Sequence, residues 1–220
     1  DRGGETTWRI RATRRVAGGA WTTETVATTT ERLLAPAVSA DIDAHGNAIV
    51  AWATGWPSDI STDRAIHVRS FDAAQGRWIP STAISAPESQ NLGPWVRLFD
   101  DGGALAAWPA SPYGIPPAPM QGVLAARDAS GRWAGPEVVC RSPGAGVTWL
   151  SQIVDAGLRR GIAHCSSSGS ASWLRSRAPD GGWGEPLDIP GTGWTQIALE
   201  PGRIVAVGHH RGGSSDVEGL

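Results

Sequence analysis

Short apolar runs recur along the chain, each about the length of a strand and each interrupted by Gly, Pro, Asn or Asp. GNAIVAW at 46–52 reads as a tight turn feeding a buried strand, and GGALAAW at 102–108 says the same thing again. The repeated unit is PAVSADIDAHGNAIVAW (36–52), answered by PWVRLFDDGGALAAW (94–108), TWLSQIVDAGLRRGIAH (148–164) and GWTQIALEPGRIVAV (193–207). Each is strand, Gly turn, strand. Between these units lies a second hairpin module: RIRATRRVAGGAW (9–21), AIHVRSFDAAQGRW (65–78), GVLAARDASGRW (122–133) and ASWLRSRAPDGGW (171–183). Every copy closes on a Trp that opens a further short strand. Trp21, Trp78, Trp133 and Trp183 stand 57, 55 and 50 residues apart.

A period near 50 residues with four strands per unit predicts an all-β fold of the β-propeller type. With strands A to D counted outward from a central channel, the chain runs C-D, then three full A-to-D blades, then A-B. The terminal pieces are complementary, so the expected architecture is four blades of four antiparallel strands, closed by pairing N-terminal and C-terminal strands, which also hides open edges. The competing readings are a slice of a longer propeller, or half of one closed by dimerisation. One domain is expected over 1–210, with RGGSSDVEGL at the end (211–220) as a flexible tail.

Composition narrows the function classes. The 220 residues suit a single all-β domain, and 12 Trp against one Tyr and two Phe, with 29 Gly and 16 Pro, suit many short strands. No stretch approaches the roughly 18 apolar residues of a membrane helix. A formal charge of −2 with interspersed signs offers no field for nucleic acid or anionic lipid. All basic side chains besides His are Arg; the chain has no Lys, which excludes Schiff-base chemistry and points to a high-GC coding bias. DRGGETTW is not a signal peptide, although a mature secreted protein would already have lost one. Secretion is the expectation, with a cytoplasmic location as its alternative.

The hairpin turns DAAQGRW (72–78), DASGRW (128–133) and APDGGW (178–183) resemble worn Asp-box turns of sialidase-like and lectin-like bacterial propellers. The resemblance runs through nearly the whole chain as a repeat. It departs from the usual box in a Gly-to-Trp interval short by one and in a first copy, RRVAGGAW, without the acid. It implies a propeller whose Asp72, Asp128 and Asp180 form turns away from the active face, since an Asp side chain bonds the backbone two residues on and Gly supplies positive φ.

Function is expected on the opposite face, where the D-to-A and B-to-C connections emerge. The long B-to-C loops ATGWPSDISTDRA (53–65) and PASPYGIPPAPMQG (109–122) exceed what connection requires. Strand A begins with Trp95, Trp149 and Trp194 in three copies and Ala37 in the fourth. Three rings around a channel mouth make a stacking surface for sugars, with Trp56, Arg64, Tyr113 and Arg141 completing the ligand-binding set; packing between blades is the competing reading of the trio. Trp21, Trp52, Trp78, Trp108, Trp133 and Trp183 are assigned to packing.

Cys140 and Cys165 end strands on one face of neighbouring blades, so a disulfide competes with two separate thiols. A metal site of these thiols with His209 or His210 lacks supporting spacing; no metal and no cofactor are expected. No GxSxG, Walker, GxGxxG or HExxH motif occurs. A sialidase is disfavoured because Tyr113 is the only tyrosine and sits in a Pro-rich loop. Glu31, Arg32 and Arg141 lie on the ligand-facing loops.

The leading expectation is therefore a carbohydrate-binding, lectin-like propeller with a small-molecule or glycan partner. A propeller lyase, hydrolase or cyclase using Asp59, Asp63, Tyr113, His164 or His209 as acid-base groups is the alternative. A protein-interaction platform built on PYGIPPAP is the third reading.

Overall fold

The computed structural model describes residues 7–15, 18–30, 33–54, 65–85, 89–91, 93–112, 121–141, 148–155, 161–167, 172–177, 182–189, 195–200 and 203–208. Their regular structure is entirely strand. An N-terminal hairpin, β1 (Trp8–Arg15) with β2 (Trp21–Thr29), is followed by three antiparallel sheets. Sheet I is β3 (Leu33–Ile42), β4 (Ala48–Thr54), β5 (Ile66–Asp72), β6 (Arg77–Trp78) and β7 (Thr82–Ala83). Sheet II is β8 (Ser89–Asn91), β9 (Trp95–Leu98), β10 (Ala104–Pro112), β11 (Gln121–Arg127) and β12 (Glu137–Cys140). Sheet III is β13 (Thr148–Asp155), β14 (Gly161–Ser167), β15 (Ser172–Ser176) and β16 (Leu187–Ile189). A C-terminal hairpin, β17 (Thr195–Glu200) with β18 (Arg203–Gly208), completes the order.

The turns explain the repeated sequence. Phe99 N donates to Gly103 O at 2.9 Å and Gly102 N to Phe99 O at 2.9 Å, and the turns at 43–47 and 128–132 make the same pair of bonds. Gly46 and Gly102 take φ of +83° and +81°, a region closed to most side chains. Asp72 accepts from Gln75 N, and Asp128 from Ser130 N and Arg132 N, so both act as turn-formers; Asp180 lies outside the described residues. Asp43, accepting from His45 N and Asn47 N, does the same.

Proline accounts for where the observed strands depart from expectation. Trp133 and Trp183 do not open continuous strands; each makes an isolated bridge, to Arg127 and Arg177, and pairing resumes only after Pro136 and Pro186. Pro80 likewise separates β6 from β7, because a residue without N–H cannot continue a ladder. Pro94 separates β8 from β9, both of which pair with β10.

Successive sheets pack face to face in chain order. The sheet I–sheet II seam buries Ile49, Ile66, Val68, Leu98 and Trp108, and the sheet II–sheet III seam buries Leu105, Leu124, Val139 and Trp173. Backbone-to-side-chain bonds repeat the sequence period: Val96 N donates to Ser39 Oγ at 3.2 Å and Leu98 N to Asp41 Oδ2 at 2.8 Å, both across 57 residues. Cys140 and Cys165 are joined in a disulfide that ties β12 to β14. Thiolate metal ligation by that pair is thereby excluded in this state.

Two expectations stand differently in the structure. Among the described residues the N-terminal and C-terminal hairpins form separate two-stranded sheets, and no closed sheet joins them. Each packs instead on its chain neighbour, the first through Val26 on sheet I and the second through β17 on β13. Trp21 is not a packing residue, being 66% exposed. Trp78, Trp133 and Trp183 each pack against the unit that precedes them in the chain, and no described unit precedes the hairpin of Trp21.

Candidate functional site

Thr29 ends β2 and Thr54 ends β4, while His67 stands near the start of β5, so these three strands bring their side chains to the face from which the 55–64 connection leaves. Thr54 N donates to Ala65 O at 3.1 Å and closes the base of that connection. Alternation along β5 sends Ile66 and Val68 into the seam with sheet II and turns His67 and Arg69 to the other side. There they meet β2, and between them lies a cleft of about 580 Å³ lined by Thr28, Thr29, Trp52, Thr54, His67, Arg69, Pro80 and Ser81, with Val26 and Ala27. Its size is that of a small-ligand site. Its described walls come from the N-terminal hairpin and from sheet I, so it lies at the seam between two units.

The floor is ordered. The Trp52 and His67 rings stack with centroids 5.5 Å apart and 17° between planes, and His67 Nε2 lies 3.5 Å from Thr54 Oγ1. Arg69 Nε donates to Ile79 O at 2.7 Å, and its Nη1 donates across the seam to Val26 O. Four hydroxyl-bearing residues, Thr28, Thr29, Thr54 and Ser81, are among those that line it.

The seam between sheets II and III shows why this space is open. Arg175 makes the same two bonds as Arg69, Nε to Gly184 O and Nη1 to Val139 O, each at 2.9 Å. Strand register then equates Trp52 opposite His67 with Cys165 opposite Trp173, and Ala27 with Cys140. At the second seam the disulfide and the buried Trp173 fill the place that Ala27 and the smaller His67 leave at the first. His67 and Arg69 escape a motif search because neither belongs to a catalytic signature. The available signal was an Arg nine residues before Trp78 matched by one eight before Trp183.

Of the expected site residues, Trp95 begins β9, is half-buried, and packs against the sheet II–sheet III cluster. Trp149 stands in β13 opposite Ser166, and His164 in β14 opposite Gln152. Strands β9 and β13 are neighbours, and Trp95 and Trp149 stand near the starts of these adjacent strands. Arg141 follows Cys140 directly and is exposed. Trp56, Asp59, Asp63, Arg64, Tyr113, Trp194 and His209 lie outside the described residues. Trp52 and Trp108, assigned to packing, are 3% and 1% exposed, so Trp52 both packs and backs the cleft.

Two groups with displaced pKa values lie at the opposite, short-turn face. Burial pulls the Arg127 guanidinium down from its ordinary value, against the pull of Asp128 and Asp43. The Ser130 hydroxyl and then the Arg132 amide hold Asp128 below the usual carboxylate range.

No protein family matches the sequence, and no curated protein matches it. Solved structures do match by shape. A "Hadza microbial sialidase" aligns with a TM-score of 0.56 at 15% identity, over 84% of this chain and 44% of that one. An α-L-arabinofuranosidase from Fusarium graminearum aligns at 0.55 and 14% identity, over 86% and 62%. An endo-arabinase from Bacteroides thetaiotaomicron aligns at 0.51 and 13% identity, over 92% and 81%. The chain thus spans about half the length of the sialidase and under two thirds of the arabinofuranosidase. At these identities the likeness carries the fold, which is all-β and of the sialidase-like propeller type.

Proposed function

We propose that this protein is a carbohydrate-binding propeller whose loop-bearing face takes a glycan. The observation that carries the reading is the cleft beside β2, where an ordered aromatic-imidazole pair and four hydroxyl side chains surround a volume fit for a sugar ring. The starts of β9 and β13, where Trp95 and Trp149 stand, are further candidates for this face. The structural neighbours named above are a sialidase, an α-L-arabinofuranosidase and an endo-arabinase, which supports a carbohydrate ligand while leaving the fold's use open. A hydrolase or lyase on the same face is the second reading, supported by those neighbours. The disulfide supports a location outside the reducing cytosol.

Intrinsic Trp fluorescence titrated with a panel of mono- and oligosaccharides tests the proposal, repeated on Trp149→Ala. A saturable change supports binding, and its loss in the variant assigns the mouth. A flat response across the panel removes carbohydrate binding from consideration.

A further inference from the structure

Among the described residues, Arg69 lines the cleft without a carboxylate to answer its charge. Only two of its N–H donors are engaged among the described residues, both by backbone carbonyls. Arg14, Arg97 and Arg177, by contrast, pair with Glu24, Asp41 and Glu137. No Asp or Glu is among the described residues lining the cleft. Arg175 makes the same clamp onto the preceding unit at a seam where Trp173 and the disulfide stand in the places of His67 and Ala27, so the clamp is a seam element in its own right. What distinguishes Arg69 is the space in front of it.

We infer that the cleft selects a small hydroxylated carboxylate, an aldonic or uronic acid. The carboxylate would meet the Arg69 guanidinium, which suits planar two-oxygen recognition, and the hydroxyls would meet Thr28, Thr29, Thr54 and Ser81. This rests on the reading of the face as a carbohydrate site and adds the ligand's charge and its position at the peripheral seam.

The test is calorimetric titration of the full chain with D-glucuronate and D-galacturonate against glucose and galactose. The expected result is at least tenfold tighter binding of the acids, weakened by added salt. Arg69→Gln and Arg175→Gln remove the same clamp from the two seams, so they separate recognition from structural loss. Arg69→Gln abolishes the preference for acids, and Arg175→Gln leaves it intact. His67→Trp, which copies the residue at the equivalent place in sheet III, fills the cleft and abolishes binding of the acids in a protein that still melts cooperatively. Equal effects of the two Arg variants overturn the inference, as does binding that survives His67→Trp. Neutral sugars binding as tightly as the acids overturn it while the carbohydrate reading stands. No binding of any saccharide overturns both.

Discussion

Nη1 of Arg175 donates to the carbonyl of Val139 at 2.9 Å, so a side chain of sheet III holds the outer strand of sheet II. Its Nε is bonded to Gly184 O within its own sheet, and Arg69 repeats the arrangement between sheet I and the N-terminal hairpin. Each such Arg joins the residue after a repeat Trp to the unit before it. Arg175→Met should cost about 2 kcal/mol, the scale of hydrogen bonds to a charged donor. Urea unfolding checks this, and an unchanged midpoint would show that the clamp contributes nothing.

The disulfide closes a separation of 25 residues and adds a covalent tie at the same seam. Chain-entropy reasoning assigns roughly 3 kcal/mol to a loop of that order. Reduction with dithiothreitol, or replacement of Cys140 and Cys165 by Ala, should lower the denaturation midpoint accordingly. Identical curves with and without reductant would contradict the prediction.

Two Trp residues should behave oppositely. Trp108 is 1% exposed and its Nε1 donates to Asn91 Oδ1 at 2.8 Å, so Trp108→Ala should destabilise by roughly 3–5 kcal/mol. Trp21 is 66% exposed, and Trp21→Ala should stay within about 0.5 kcal/mol. Comparable losses in the two variants would mean that Trp21 is covered in solution.

Asp128 is held down by the Ser130 hydroxyl and the Arg132 amide, so its folded pKa lies below its unfolded one. The contribution of this turn is therefore fully present above the unfolded pKa, near 4, and is lost as pH falls through the folded value. Carbon-detected NMR titration should show Asp128 protonating below ordinary aspartates, and Ser130→Ala should move it back up. An ordinary midpoint in the parent protein would remove the hydrogen bond as a cause.

By itself the sequence determined the order of elements, because turn chemistry and alternation are local. Gly46, Gly102 and Asp128 stand where the backbone reverses, and the period separating Trp21 from Trp78 is the period that brings Ser39 beside Val96. It also determined the face on which the long connections emerge, since strand direction follows from counting hairpins. Tertiary structure alone decided which units touch. Trp21 and Trp78 occupy the same place in the repeat, yet among the described residues only Trp78 packs against a preceding unit, and the terminal hairpins form separate sheets there. The cleft is of that kind as well. Thr28 belongs to a different unit from His67 and Arg69, and the volume between them depends on Ala27 standing where another seam has Cys140, a comparison that exists only once the strands are in register.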